Sequence, residues 1–142
     1  MQVIKGSTFE QSQCNNEELF NNFYNLLNGD NEVIIDRFIY SNLVYAYLYN
    51  DYSILNDKQI EQLEIMMYER DVVIIYLFAD TETLIKRMSV RGDDYVKTNM
   101  IPAINEKYEQ VMKLSNMQHL NFDTSVYSSN EIVEMITYSL DY

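Results

Sequence analysis

The chain has 142 residues, 47% of them hydrophobic, so it is long enough and apolar enough for one domain with a packed core. Its net charge of −12 argues against nonspecific nucleic-acid binding, which requires a basic face that neutralises phosphates. The single cysteine, Cys14, excludes an internal disulfide, and the single histidine, His119, argues against a histidine-based triad or a multi-histidine metal site. No apolar run approaches the roughly 20 residues of a membrane span, so we expect a cytoplasmic protein with no membrane partner.

The predicted elements alternate between strands and helices along the chain. Short apolar runs rich in valine and isoleucine predict strands within QVIK, EVII and DVVIIYLF, and a further short strand is predicted within HLNFDTS. Apolar residues at helical spacing predict helices in NNEELFNNFYNLLNG, NDKQIEQLEIMMYER, TETLIKRMSVR and NEIVEMITYSL, capped by Asn15, Asn56 or Asp57, Asp80 and Ser128. Two more helices are predicted over residues 40–49 and about 95–112, the second interrupted by Pro102. The alternation indicates an α/β fold with a parallel sheet flanked by helices, and the unbroken apolar character of EVII predicts burial on both faces.

Polar clusters follow the predicted strands, where ligands bind in parallel sheets. The most distinctive cluster is Asp36 and Arg37, directly after EVII. Arg37 can hold a phosphate with its planar guanidinium, while Asp36 orients it or approaches a hydrated Mg²⁺. The alternative interpretation is a structural pair, with Arg37 neutralised by a glutamate on a helix.

Tyrosines crowd the segment after this cluster, at positions 40, 45, 47, 49 and 52. We expect most of them to pack in the core or at its rim, and one or two to line a pocket where a ring stacks on a base. Ser41 and Tyr45 are four residues apart, so a helix presents both on one face.

A concentration of positive charge lies in KRMSVRGDDY, where Arg87 and Arg91 share one face of the predicted helix. This pair is either a solvated basic face or a mobile arginine clamp that closes over transferring phosphates. Gly92 and the two aspartates after it are expected to form the turn that follows.

Together these residues resemble the thymidylate kinase and deoxynucleoside monophosphate kinase family of the P-loop nucleotide kinase superfamily, and especially its short phage-type members. The resemblance rests on Asp36 and Arg37 with Ser41 and Tyr45 at the family's spacing, and on VVIIYLFADTETLIKRMSVRGDD. It also rests on Tyr108 in INEKYEQVM and on FDTS before the final helix. It covers nearly the whole chain from Gln2.

The resemblance implies a single nucleotide-kinase-like domain over residues 1–142, with a lid region at about 87–100. The implied reaction transfers a phosphoryl group from ATP, with Mg²⁺, to a deoxynucleoside monophosphate. Arg37 would bind the acceptor phosphate, Asp36 would lie near the phosphates and the magnesium ion, and Ser41, Tyr45 and Tyr108 would line the substrate pocket. Arg87 and Arg91 would be catalytic lid arginines, and Asp123, Thr124 and Ser125 would border the adenine.

The chain departs from the family pattern in two places. Ala46 stands where many members have a glutamine that contacts the base. None of the three glycines precedes Lys–Ser or Lys–Thr, and QVIKGSTFE matches the family's second strand, so the resemblance implies that the first, central strand and the P-loop are missing. Unpaired inner sheet edges would invite another chain, so we expect a separately encoded P-loop segment or a homodimer as partner.

Two other functions stay open at this point. The chain could be an inactive fragment or a non-catalytic interaction subunit that keeps only an acceptor-like pocket. It could also be a deoxynucleoside kinase, which has a similar fold but needs an acidic general base near the acceptor hydroxyl. Glu10 is the weak candidate for that base.

Overall fold

A computed structural model of the chain describes residues 1–29, 32–92 and 97–141. The chain forms two compact units, one made of Met1–Val72 with Glu106–Asn116 and the other of Val73–Asn105 with Met117–Tyr142. The predicted single domain stays a prediction. The predicted lid region is described only in part, because residues 93–96 lie outside the described residues, and so does the turn expected at the two aspartates.

The first unit contains a pair of parallel strands, β1 (Gln2–Lys5) and β2 (Val33–Asp36). Their register places Gln2 opposite Val33 and Lys5 opposite Asp36, so both strands reach their carboxyl ends together. Helix α1 (Asn16–Leu27) begins where the Asn15 side chain accepts a hydrogen bond from the backbone of Glu18, as predicted. Its recurring apolar residues are buried, namely Leu19, Phe23 and Leu27.

Two helices follow β2 in the same unit. Helix α2 (Ile39–Leu48) confirms the predicted helix after Asp36 and Arg37, and its first two turns are almost entirely buried. Helix α3 (Asp57–Glu69) begins with a reciprocal capping box between Asn56 and Gln59, which selects Asn56 as the cap. Leu63 and Met67, one turn apart, anchor α3 in the core of this unit.

The second unit is built around β3 (Ile74–Phe78) and β4 (His119–Asp123), again parallel, with Phe78 opposite Asp123. Asp80 caps α4 (Thr81–Arg91), which ends at Gly92 in the left-handed conformation with φ of 66°. A capping box between Ser128 and Glu131 starts α6 (Ser129–Ser139). These three local predictions are confirmed.

Helix α5 (Ile101–Leu114) begins later than the sequence pattern indicated. A 3-10 turn over Thr98–Met100 precedes it, and Pro102 lies in its first turn. Proline is well suited to a helix start because its missing N–H has no partner there anyway. Pro102 therefore marks the beginning of a helix instead of interrupting one. Residues up to Asn105 belong to the second unit, and the helix from Glu106 onwards belongs to the first.

The α/β class with parallel strands flanked by helices is confirmed, whereas the burial of EVII is not. Within the described part of the chain the strands form two separate two-stranded sheets. Along β2 the side chains alternate between half-buried and exposed. Ile34 is 52% exposed, and its register partner Val3 is exposed as well. A strand with helix cover on one face only shows this alternation, so the prediction of burial on both faces was wrong. The missing central strand stays a prediction.

None of the helices in residues 1–29, 32–92 and 97–141 is both long enough and apolar enough to cross a membrane.

Candidate functional site

The backbone turns sharply where β2 ends. Arg37 has a φ of 63°, in the left-handed region that a non-glycine residue occupies at a cost of about 1–2 kcal/mol. The end of β1 packs closely against this turn, and the backbone N–H of Gly6 donates to the carbonyl of Asp36 at 3.0 Å. A Cβ atom at position 6 would overlap the carbonyl oxygen of Arg37 and Cγ2 of Ile35. Only glycine at position 6 allows this approach.

The Arg37 side chain lies over an aromatic ring. Its guanidinium carbon is 5.5 Å from the centroid of the Tyr45 ring, within the range of a cation–π contact. Partial burial acts to lower the pKa of Arg37, but Tyr45, Tyr108 and Asp36 outweigh it and raise that pKa above its ordinary value. The guanidinium is therefore charged at any physiological pH and can bind an anion.

Four tyrosines gather around this contact. The Tyr45 ring is only 8% exposed and stacks on Tyr49 with a centroid separation of 6.0 Å and an interplanar angle of 14°. Tyr52 lies 6.0 Å from Tyr45, and Tyr108 meets it edge-on at 6.4 Å. Edge-on and offset arrangements are the favourable ones for aromatic pairs. The cluster combines apolar ring faces with phenolic hydroxyls beside one charged guanidinium.

The sequence-predicted substrate residues Arg37, Ser41, Tyr45 and Tyr108 meet in the first unit. The Tyr108 hydroxyl donates to Ser41 Oγ at 2.8 Å, although the two residues are 67 positions apart. Ser41 is buried, so this bond fixes the Tyr108 ring against α2. The cluster lies at the carboxyl end of β2, where a parallel sheet presents ligand-binding groups.

A buried carboxylate that the sequence analysis missed lies beside this cluster. Glu64 on α3 is 7% exposed and accepts hydrogen bonds from the Tyr40 hydroxyl at 2.8 Å and from the Asn116 backbone at 3.1 Å. The Ser115 and Asn116 side chains also donate to it, at 3.3 and 3.2 Å. Burial raises the pKa of the Tyr40 hydroxyl, so Tyr40 remains a donor. A glutamate on the otherwise apolar face of α3 was the signal that could have found it.

The second unit joins the start of α4 to the segment after β4. The backbone N–H of Asp80 donates to Ser125 Oγ at 3.1 Å, and Asp123 accepts from the backbone of Ser125 at 2.9 Å. Arg87 donates two hydrogen bonds to Thr124, one to Oγ1 and one to the carbonyl oxygen, both at 2.7 Å. In this structure the planar fork of Arg87 therefore binds protein atoms of the predicted adenine border.

Arg91 is the last residue of α4 and is exposed. It lies one helical turn beyond Arg87 on the same face, as the four-residue spacing predicted. The lid role of both arginines and the adenine role of Asp123, Thr124 and Ser125 stay predictions.

The metal prediction concerns Asp36 alone. No cluster of three or more histidine, cysteine, aspartate or glutamate side chains that could hold a metal ion occurs in the described ranges. Mg²⁺ often takes one or two protein carboxylates and completes its shell with phosphate oxygens and water. Asp36 is exposed at the end of β2 and fits that role as a single ligand.

Comparison with known proteins decides the family. No protein-family model matches the chain. The chain is 42% identical over 139 residues to the SPbeta prophage-derived protein YorR of Bacillus subtilis (strain 168), covering 98% of this chain and 83% of that protein. The chain belongs to the YorR family. The crystal structure of Bacillus subtilis YorR, in complex with phosphorylated GDP, superposes on this YorR-family chain with a TM-score of 0.90 at 41% identity, covering 99% of this chain and 81% of YorR.

A second solved structure extends the fold beyond the YorR family. Deoxyadenosine kinase from M. mycoides, with bound dCTP, matches with a TM-score of 0.50 at 18% identity and covers 99% of both chains. At that identity the match concerns the fold alone. This YorR-family chain therefore has a nucleoside-kinase-like α/β fold.

Proposed function

We propose that this chain is part of a nucleotide kinase that transfers a phosphoryl group from ATP to a deoxynucleoside monophosphate, as thymidylate kinases do. The observation that carries the proposal is the meeting of Arg37, Ser41, Tyr45 and Tyr108 at the carboxyl end of β2. A charged guanidinium binds the acceptor phosphate, and the pocket that the adjoining rings and hydroxyls border receives the nucleoside.

The acceptor base is the next question, and guanine is the first base to test. The related YorR protein, 41% identical, was crystallised in complex with phosphorylated GDP. In addition, Ala46 replaces the glutamine that the resemblance associates with the thymine base. Both observations support dGMP over dTMP as the acceptor.

The donor side of the proposal rests on the second unit. Arg91 stabilises negative charge on the transferred phosphoryl group, Arg87 joins it on release from Thr124, and residues 123–125 border the adenine. Asp36 supplies one ligand to Mg²⁺, which neutralises phosphate charge when bound. A Gly-rich phosphate loop that is not part of this sequence completes the donor site.

A deoxynucleoside kinase is the second candidate, favoured by the deoxyadenosine kinase fold match over 99% of both chains. In that reaction the acceptor is the sugar hydroxyl, and Glu10, exposed on the 3-10 turn Glu10–Ser12 after β1, is the candidate general base. A non-catalytic subunit would bind nucleotides without turnover.

The proposal is tested by binding and turnover measured separately. The full chain is titrated with each of the four deoxynucleoside monophosphates and the four deoxynucleosides, and then assayed with ATP and Mg²⁺, with and without a supplied strand–P-loop–helix segment. We expect dGMP binding by the chain alone and turnover once the segment is present. Phosphorylation of deoxynucleosides favours the second candidate, and binding without turnover in either condition favours the non-catalytic subunit.

Arg91→Ala tests the donor side within the active assembly. The variant should lower turnover by at least tenfold, or about 1.4 kcal/mol in the barrier, while leaving the dGMP dissociation constant within about twofold. Lys86→Ala, five residues earlier on α4 and on a different face of the helix, is the charge control. Unchanged turnover in Arg91→Ala would remove the lid role.

A further inference from the structure

We propose that Tyr45 is a positioning residue, whose ring holds the guanidinium of Arg37 in the orientation that binds the acceptor phosphate. The inference deepens the proposed function and rests on it. It differs from the sequence-based expectation that Tyr45 acts on the nucleoside itself.

The side chains of Arg37 and Tyr45 are in contact. Arg37 follows the end of β2 in a strained backbone conformation and keeps access to solvent. Its guanidinium carbon lies over the Tyr45 ring at 5.5 Å from the centroid. A long, solvated arginine loses rotamer freedom when it binds a ligand, and a ring beneath the charge removes part of that freedom beforehand.

The Tyr45 ring is itself held in place by its neighbours. Tyr45 is buried and stacks on Tyr49, while Tyr52 and Tyr108 pack around it. Tyr108 in turn is held by its hydrogen bond to Ser41. A ring that cannot move is an effective support for a flexible cation.

The cation–π contact leaves the N–H donors of Arg37 available for an anion. A cation–π contact uses the ring face and the charge of the guanidinium and does not consume its N–H groups. Those N–H groups form the planar fork that binds phosphate oxygens bidentately. The contact can therefore orient Arg37 without competing with the phosphate.

A second cation–π contact, made by another tyrosine of α2, provides a matched control. Tyr47, two residues after Tyr45, also carries a cation over its ring, with Lys107 Nζ at 3.6 Å from the centroid. Tyr47 is 67% exposed and its cation is not Arg37. Removing the Tyr47 ring therefore deletes a surface cation–π contact and leaves the Arg37 contact in place.

The first experiment needs no ligand. The side-chain Nε–Hε resonance of Arg37 is recorded by NMR in the full chain and in Tyr45→Phe, Tyr45→Leu and Tyr47→Leu. We expect the resonance to keep its ring-shifted position in Tyr45→Phe and Tyr47→Leu, and to move to the random-coil position with higher mobility in Tyr45→Leu. An unmoved resonance in Tyr45→Leu overturns the inference.

The second experiment measures binding of dGMP and deoxyguanosine, or of dTMP and thymidine if dGMP does not bind. Tyr45→Leu should weaken monophosphate binding about two- to fivefold relative to nucleoside binding, and this loss should vanish in the Arg37→Ala background. Trifluorophenylalanine at position 45 keeps the ring volume but weakens its attraction for a cation. It should reproduce the loss relative to Tyr45→Phe even if Tyr45→Leu does not fold.

The outcomes separate the two proposals. If Arg37→Ala weakens monophosphate binding and the Tyr45 variants do not, the positioning role is overturned while the proposed function stands. Losses that simply add in the double variant also overturn it, because Tyr45 then acts on the nucleoside independently. If the wild-type chain binds none of the four monophosphates, the proposed function fails and the inference fails with it.

Discussion

Gly6 and the carbonyl group of Arg37 lie too close together for a side chain at position 6. The Cα of Gly6 faces the carbonyl group of Arg37 so closely that a methyl group on it would overlap the carbonyl oxygen. The approach lets the N–H of Gly6 donate to Asp36 and joins the end of β1 to the left-handed turn at Arg37. The shape of the turn at Arg37 therefore depends on a residue 31 positions earlier in the chain.

Gly6→Ala should lower the free energy of unfolding by about 1–3 kcal/mol, because the added Cβ forces the two strand ends apart. Urea denaturation followed by circular dichroism measures the change. Gly29→Ala is the matched control, since among the described residues a Cβ there meets only the Leu26 carbonyl oxygen, at an ordinary 3.8 Å. Equal stability of the two variants would contradict the close approach.

At position 37 glycine should be more stabilising than alanine, which is the reverse of the usual order. Arg37→Gly should be more stable than Arg37→Ala by about 1 kcal/mol, because glycine adopts the φ of 63° without strain. Both variants lack the guanidinium, so both should lose the phosphate contribution to nucleotide binding. Parallel urea denaturation and calorimetric titration with dGMP measure the two effects. Alanine proving the more stable would argue that the backbone at Arg37 is not left-handed.

Glu64 should matter for stability although it lies outside every motif. Glu64→Ala leaves the Asn116 N–H without its acceptor and removes the buried partner of the Tyr40 hydroxyl, so it should cost about 1–3 kcal/mol. Glu61→Ala, on an exposed position of the same helix, should stay within about 0.5 kcal/mol of the wild type. Thermal or urea denaturation of both variants gives the comparison, and similar values for the two would contradict a buried network.

Asp80 should make the stability of the chain depend on acid. Hydrogen bonds from Thr83 and Ser125 lower the pKa of the Asp80 carboxyl below its unfolded value of about 3.9. A carboxyl with a depressed folded pKa stabilises the fold above the unfolded pKa, and this contribution is lost as the pH falls through the folded pKa. Asp80→Ser keeps a capping oxygen but does not titrate. Denaturation between pH 5 and about pH 2.5 should therefore show a steeper loss for the wild type than for Asp80→Ser.

The same two proteins are also compared at neutral pH. At pH 7 the wild type should be at least as stable as Asp80→Ser, because an ionised carboxylate at a helix start interacts favourably with the helix dipole. Parallel curves for the two proteins across the whole pH range would show that Asp80 titrates alike in the folded and unfolded chains.

Local sequence was sufficient wherever a few neighbouring residues decide the outcome. The caps at Asn15, Asp80 and Ser128 form as predicted, and Asn56 is the cap of the two candidates for α3; each bond joins residues three positions apart. The parallel α/β class follows from alternation and is likewise local in origin. The role of Pro102 was predicted wrongly. A proline can either interrupt a helix or begin one, and the flanking structure decides which of the two occurs.

The candidate site likewise contains features that the sequence predicted and features that it did not. The turn at Asp36 and Arg37 was visible in the sequence because it ends a strand, and the resemblance to nucleotide kinases supplied Ser41, Tyr45 and Tyr108. The engagement of Arg87 with Thr124, 37 residues away, had no sequence signal. Neither did the exposure of Ile34, because the apolar character of a strand does not reveal whether a second helix covers it.

Local sequence patterns were enough to locate most of the helices and strands, to find the helix caps and to show which residues end the strands. Three features came from packing alone, namely the bond of Tyr108 to Ser41, the need for glycine at position 6 beside Arg37, and the burial of Glu64 among Tyr40, Ser115 and Asn116. The physical reason is range: capping and periodicity act within a turn or two, whereas these contacts form only after chain segments tens of residues apart have packed together.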